Sequence, residues 1–137
     1  MHLKNLNKFY FIDEFNQEDL KKIPVNTSVI YRDYSHTYKE NLIHKINKFC
    51  KSKKIKFFIS NNIDLAIKFR LDGIYVPSFY KKLDTLKAKV RGLTILGSAH
   101  NIKEINEKKK QCVDLIFIAP VFQVKKKNSY LGVIKFN

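Results

Sequence analysis

The sequence predicts an α/β protein of repeated strand–helix units, either an open doubly wound sheet or most of a (β/α)8 barrel. Six short apolar runs are bounded by turn residues, and five lack the apolar–polar alternation of a half-exposed strand, as expected for strands covered on both faces. Helical patterns separate the runs, and strand starts recur roughly every 20 residues. Repeated βα units imply a parallel sheet with right-handed crossovers.

The elements follow in order. Phe9–Ile12 is the first strand, and Gln17–Lys22 is a single helical turn or so. Ser28–Tyr31 is the second strand. Tyr38–Lys51 is the longest helix, with Leu42, Ile46, Phe49 and Cys50 on one face. Lys56–Ile59 leads through Ser60-Asn61-Asn62 into a helix over Ile63–Phe69, whose buried face carries Ile63, Ala66 and Ile67. Gly73–Val76 is followed by a weaker helical pattern, Tyr80–Lys89, and then by Leu93–Leu96. The helix Ile102–Lys110 starts after Asn101, a plausible N-cap, with Glu104 completing a capping box. Asp114–Ile118 is the sixth strand.

Eight βα units ordinarily need about 250 residues, or about 200 in a compact barrel. The 137 residues here hold about six. The expectation is therefore a single domain over 1–137, a partial (β/α)8 barrel with the last two units absent and residues 131–137 standing where a sixth helix would start. Only seven Gly and Pro residues occur, so no linker divides the chain.

Composition narrows the function classes. Apolar content of 45% and aromatic content of 13% describe a globular chain. No apolar run approaches the roughly 18–20 residues that span a bilayer, and the N-terminal apolar patch is too short for a signal peptide. A cytoplasmic protein without membrane contact is expected. Cys50 and Cys112 are far apart and make no CxxC pair, which points to buried, inert thiols. The net charge of +15 could mark a nucleic-acid binder. Yet only Arg32, Arg70 and Arg91 among 27 basic residues are arginine, and the abundance of Lys, Asn, Ile and Phe follows A/T-rich codons. Base and phosphate readers lean on Arg, which argues against that role.

Ligands of α/β folds bind at the carboxyl ends of strands. Those ends carry Arg32-Asp33-Tyr34, Ser60-Asn61-Asn62, Val76-Pro77-Ser78, Gly97-Ser98-Ala99-His100, and beyond the last strand Lys125–Lys127. An Arg, amides, hydroxyls, a His and lysines on one rim suit a phosphate or pyrophosphate. Each also has a plainer role. The asparagines or Ser98 can cap helices, His100 can be a solvated loop residue, Arg32 can pair with Asp33 or Glu40, and the lysines can serve solubility. Co-location favours the ligand.

The sequence resembles the thiamine phosphate synthase/TenI family. The stretch NNIDLAIKFRLDGIYV is similar to that family's N-D-x-x-D-L-A, helix, A-D-G-V-H-L. ILGSAHNIKEINEKKKQCVDLIFIAPVF is similar to its G-x-S-x-H followed by A-D-Y-[IV]-x-x-G-P-V-F, and KKKNSYLG to its T-x-[ST]-K loop with L-G. The resemblance runs in order from about Phe9 to Gly132. It implies a (β/α)8 barrel. It also implies either a synthase that joins an aminopyrimidine pyrophosphate to a thiazole phosphate with Mg²⁺, or a TenI-type protein that acts on thiazole phosphate with a His as acid/base.

Carried over by position, Arg32, Asn61, Ser98 and Lys127 would hold phosphate and His100 would be the catalytic acid/base, with Asn62 and Ser78 as weaker candidates. The sequence departs from the family at Ile30 and Tyr34, where Gln and Lys flank the Arg, and at Val124 in the loop. Both metal-binding acids are replaced, one by Asn62 and the other near Tyr80, so no residue here is assigned to a metal. The family's Gly-rich phosphate site on strands seven and eight has no counterpart. Open edges at Phe9–Ile12 and Asp114–Ile118 would then call for a partner, such as a second copy in a homo-oligomer, or for a missing segment. The function expected is thiamine biosynthesis, with a small phosphorylated thiamine precursor as ligand. The alternative is a non-catalytic phosphate-binding or regulatory module on a decayed barrel, and after it a basic nucleic-acid binder.

Overall fold

The computed structural model describes residues 8–33 and 38–118, and the backbone of 132–135. Six parallel strands stand in sequential order: β1 (Phe9–Ile12), β2 (Ser28–Tyr31), β3 (Lys56–Ser60), β4 (Gly73–Val76), β5 (Thr94–Ala99) and β6 (Leu115–Ile118). Five helices connect them: α1 (Gln17–Lys21), α2 (Glu40–Ser52), α3 (Ile63–Lys68), α4 (Thr85–Val90) and α5 (Ile102–Lys110). Sequential order without a switch point is barrel winding, so the doubly wound alternative is excluded. The sheet curls into a half-barrel. Phe9 on β1 meets Phe117 on β6 edge-to-face, ring centroids 4.9 Å apart, although four strands lie between them.

Residues 131–137 were expected to start a sixth helix. Instead β7 (Gly132–Lys135) pairs antiparallel with β6, Ile116 opposite Ile134. That edge of β6 is therefore covered, and tertiary pairing overrides a segment whose local pattern is ambiguous.

Strand alternation divides the core in two. Val29, Phe57, Ile59, Ile74, Val76, Ile95 and Ile116 face the helices. Ile30, Phe58, Tyr75, Leu96, Leu115 and Phe117 face the concave side, with Phe9 and Phe11 packed on them. Both faces are apolar, which is why the strands read as continuous apolar runs. Each fully buried Ile or Phe stabilises by about 1.5–3 kcal/mol. On α2 the buried face is Ile43, Ile46, Asn47 and Cys50, with Leu42 and Phe49 only half-buried at its margin. Asn47 earns its place by donating from Nδ2 to the Phe69 carbonyl at 2.9 Å.

Four αβ turns repeat one device. Lys54, Arg70, Gly92 and Cys112 each follow a helix C-cap with positive φ, between 53° and 78°. The next residue, Ile55, Leu71, Leu93 or Val113, donates its N–H back to the helix, to the carbonyls of Cys50, Ala66, Ala88 and Lys108. These are Schellman caps that close each helix and launch each strand. Cys112, expected buried, is exposed because it occupies this left-handed position. Cys50 is buried as expected, and burial, with Asp72 nearby, pushes its thiol up to about 12.

The helix expected over Tyr80–Lys89 forms only at Thr85–Val90. The preceding segment is pinned by tertiary bonds. Gln111 Nε2 donates to the Tyr80 and Lys82 carbonyls at 2.8 Å, and the buried Lys108 Nζ donates to Tyr80 O at 2.9 Å. Carbonyls held in this way are drawn out of a helical ladder.

Candidate functional site

The carboxyl ends of β2 to β5 form one rim of the half-barrel. Arg32 follows β2, where its N–H donates to Ile12 O at 2.8 Å. It has the parity of Ser28 and Ile30, so its side chain turns inward, the guanidinium carbon 4.3 Å from the Phe11 ring centroid. An aromatic face under the guanidinium adds a cation–π contact that orients the group at the rim. Tyr38 braces the turn, its hydroxyl accepting from Asp33 N–H and donating to Tyr31 O, each at 3.4 Å. Glu40, weighed above as a partner for Arg32, is held by Lys68 at 2.7 Å.

The two asparagines after β3 divide the work. Asn61 has φ 61°, donates its N–H to Tyr75 O at 2.9 Å and is exposed. Asn62 is the N-cap of α3, its Oδ1 accepting from Leu65 N–H at 3.1 Å. Asn62 is thus committed to the helix, while the Asn61 amide stands at the rim. Just below them Ser60 is fully buried, and its Oγ has no hydrogen-bond partner among the described residues.

On the concave face the Tyr75 hydroxyl and Ser98 Oγ share a hydrogen bond. Tyr75 stands where the resembling family has His, and its ring packs on Phe11 at 5.2 Å. Ser98 therefore fixes Tyr75 rather than capping α5. Ser78 is half-buried, with its carbonyl 3.4 Å from Lys108 Nζ. Burial lowers the affinity of Lys108 for its proton, although Glu107 and Glu104 oppose this.

His100 is exposed, and Glu104 holds it twice. One oxygen, Oε1, accepts from the His100 backbone N–H at 2.7 Å and lies 3.0 Å from ring Nδ1. Asn101 caps α5, its Oδ1 accepting from Glu104 N–H at 2.9 Å. The expected capping box forms, with the carboxylate reaching one residue further back than usual. Burial alone would raise the Glu104 carboxyl, but the bonds from the His100 backbone and ring bring it below the ordinary value. With Nδ1–H donated to Glu104, Nε2 is the ring nitrogen left to face a ligand.

The rim thus brings together Arg32, Asn61, Ser98 and His100, with Ser78 beside them. Lys127 lies outside the described residues. Sequence reasoning assigned no role to Phe11, Ser60 or Tyr75, and read Glu104 only as a cap. A Glu four residues after a rim His on a helix start is the signal that could have found the His–Glu pair.

The donor set does not fit Mg²⁺, which seeks several anionic oxygens in an octahedral shell. Asn62 spends its oxygen on α3. Tyr80 is a phenol whose hydroxyl donates to both Asp84 oxygens at 2.6 Å, and burial, with that bond, holds it protonated. Among the described residues no three His, Cys, Asp or Glu side chains converge. Among the described residues no helix is long and apolar enough to cross a membrane.

Comparison with known proteins decides the family. The family model described as thiamine monophosphate synthase matches residues 18–136. The chain belongs to the thiamine monophosphate synthase family. Among curated family proteins, the thiamine-phosphate synthase of Prochlorococcus marinus is 33% identical over 91 residues, covering 64% of this chain and 26% of that protein. Thiamine-phosphate synthase 1 of Streptococcus pneumoniae is 28% identical over 98 residues, covering 72% of this chain and 47% of its own length. A solved thiamine phosphate pyrophosphorylase from Pyrococcus furiosus superposes with a TM-score of 0.69 at 19% identity, over 88% of this chain and 64% of that one. The chain therefore spans about a quarter to a half of the length of these curated relatives.

Proposed function

We propose that the single domain over residues 1–137 binds a phosphorylated thiamine precursor of the thiazole phosphate class at the carboxyl rim, in the cytoplasm. The observation that carries this is Arg32, placed over Phe11 at the strand end where the family has its Arg, with Asn61 at the end of β3 and Ser98 near the end of β5. Arg32 would fork around the phosphate while the Asn61 amide and Ser98 hydroxyl donate to it, and Lys127 would add point charge. The Phe11 and Tyr75 rings offer an apolar wall for a heteroaromatic ring.

His100 would move a proton on the bound ring through Nε2. Glu104 is a positioning residue that holds Nδ1 and favours the protonated imidazole once it has accepted the proton. Such a proton transfer asks for no metal. Coupling with loss of pyrophosphate demands neutralisation of a developing polyanion, for which the rim offers Arg32 but, among the described residues, no convergent acids to carry Mg²⁺. Isomerisation or binding of a thiazole phosphate is thus favoured over coupling.

The test is incubation of purified protein with aminopyrimidine pyrophosphate, thiazole phosphate and Mg²⁺, alongside calorimetric titration with thiazole phosphate alone. Binding weakened at least about tenfold by Arg32→Ala, without thiamine phosphate above a no-enzyme control, supports the proposal. Thiamine phosphate formed in excess of that control would restore the synthase assignment. No heat of binding with thiazole phosphate would remove the site.

A further inference from the structure

The half-barrel has a second polar concavity at the opposite end, where the strands begin. A cavity of about 500 Å³ lies between the ends of α3 and α4 and is lined by Arg70, Arg91, Lys56, Asp72 and Gly92. Two of the chain's three arginines thus share one groove in a protein whose other basic residues, Arg32 apart, are lysines. Neither guanidinium has a carboxylate within 4.0 Å among the described residues, whereas Lys21, Lys68, Lys81, Lys87 and Lys89 each have one.

The plain explanation is that cations at a helix C-terminus complement its dipole. The carbonyls concerned are already answered. Arg70 and Leu71 N–H donate to Ile67 and Ala66, and Gly92 and Leu93 N–H donate to Lys89 and Ala88. The one acid in the groove, Asp72, accepts from Phe57 N–H through Oδ2 at 2.8 Å. Three cations therefore face one carboxylate that is already hydrogen-bonded, in a concave site open to solvent beside Gly92, where a side chain would meet nothing within 4 Å.

We propose that this groove binds the phosphate group of a small phosphorylated compound. The two guanidiniums would fork around its oxygens, and Lys56 would add charge from the floor of the sheet. Guanidinium forks match phosphate geometry, which isolated ammonium groups do not. A concave site with two Arg favours a small ligand over a nucleic-acid backbone, which needs an extended basic track. The groove is separate from the carboxyl rim, and the proposal does not depend on thiazole phosphate binding there.

The experiment is an amide and arginine Nε NMR titration of the ¹⁵N-labelled chain with inorganic pyrophosphate. Saturable shifts at Gly92, Leu93 and the Arg70 and Arg91 Nε groups are expected. Their midpoint should weaken at least about tenfold in R70Q/R91Q, and less in R70K/R91K, which keeps charge without the fork. R32Q, at the other rim, should leave that midpoint unchanged. Both arginines are exposed, so the variants are expected to fold, which thermal melts check. Unmoved Gly92 and Leu93 signals at millimolar pyrophosphate, or an unchanged midpoint in R70Q/R91Q, would overturn the site. Tighter, steeply salt-dependent binding of single-stranded oligothymidylate at the same signals would replace the small ligand with nucleic acid.

Discussion

Gly73 and Gly97 both lie in strands, yet the structure sets them far apart in tolerance. A Cβ at Gly73 would sit 1.9 Å from the Thr94 carbonyl oxygen and 2.7 Å from Phe58 Cε1. An ordinary C···O approach is about 3.3 Å, so β4 would have to move about 1.4 Å from β5 at the register pair Gly73–Thr94. Such a shift weakens one or two ladder bonds, worth about 1 kcal/mol each, and adds overpacking of about 1–3 kcal/mol. Gly73→Ala is therefore expected to cost about 2–5 kcal/mol, lowering the melting temperature by roughly 6–20 °C. At Gly97 the nearest atoms are side-chain carbons of Lys108 and Val113 at 3.1–3.3 Å, which can give way. Gly97→Ala should cost about 1 kcal/mol or less. Urea and thermal unfolding of both variants measure the contrast. Equal losses, or Gly73→Ala within about 1 kcal/mol of the parent, would refute the close approach of β4 and β5.

Other outcomes follow from single features. Asn62→Ala should lose the α3 cap, about 1 kcal/mol in urea melts, and leave thiazole phosphate affinity unchanged. Asn61→Gly keeps the left-handed turn but removes the amide, so calorimetry should show affinity down about three- to tenfold at near-constant stability. Cys112→Gly relieves a non-glycine at φ 60° and should raise stability by about 0.5–1 kcal/mol, seen as a thermal shift of a few degrees. Glu104 is held below its ordinary value, so its contribution is full above the unfolded carboxyl pKa of about 4.3 and fades as pH falls through the lowered folded value. Melting curves between pH 6 and 3 should therefore show an acid loss that is smaller in Glu104→Gln than in the parent.

Most of the architecture was legible because the strands are buried on both faces and the helices carry one apolar stripe each. The start of α5 was readable from Asn101 and Glu104 alone, since both act within its first turn. What escaped was set by distant partners. The late start of α4 depends on Gln111 and Lys108, about 30 residues along the chain, and β7 depends on the free edge of β6. Cys112 was expected inside because thiols usually are, but three other αβ turns show that its position demands a left-handed backbone and points outward. At the rim, the order of strand ends sufficed to gather Arg32, Asn61, Ser98 and His100. Sequence alone could not divide Asn61 from Asn62, because both residue types cap helices and tolerate left-handed turns. Nor could it link Tyr75 to Ser98, a contact made only across paired strands.

The central claim is that a phosphorylated thiazole sits on the concave rim. Its most direct test is an NMR titration of the ¹⁵N-labelled chain with thiazole phosphate, read at the amides of Arg32, Asn61, Ser98 and His100. Saturable shifts at these four, with a midpoint at least about tenfold weaker in Arg32→Ala, are predicted, with Gly92 far less affected. Shifts confined to the opposite face, or none at all, would contradict the account.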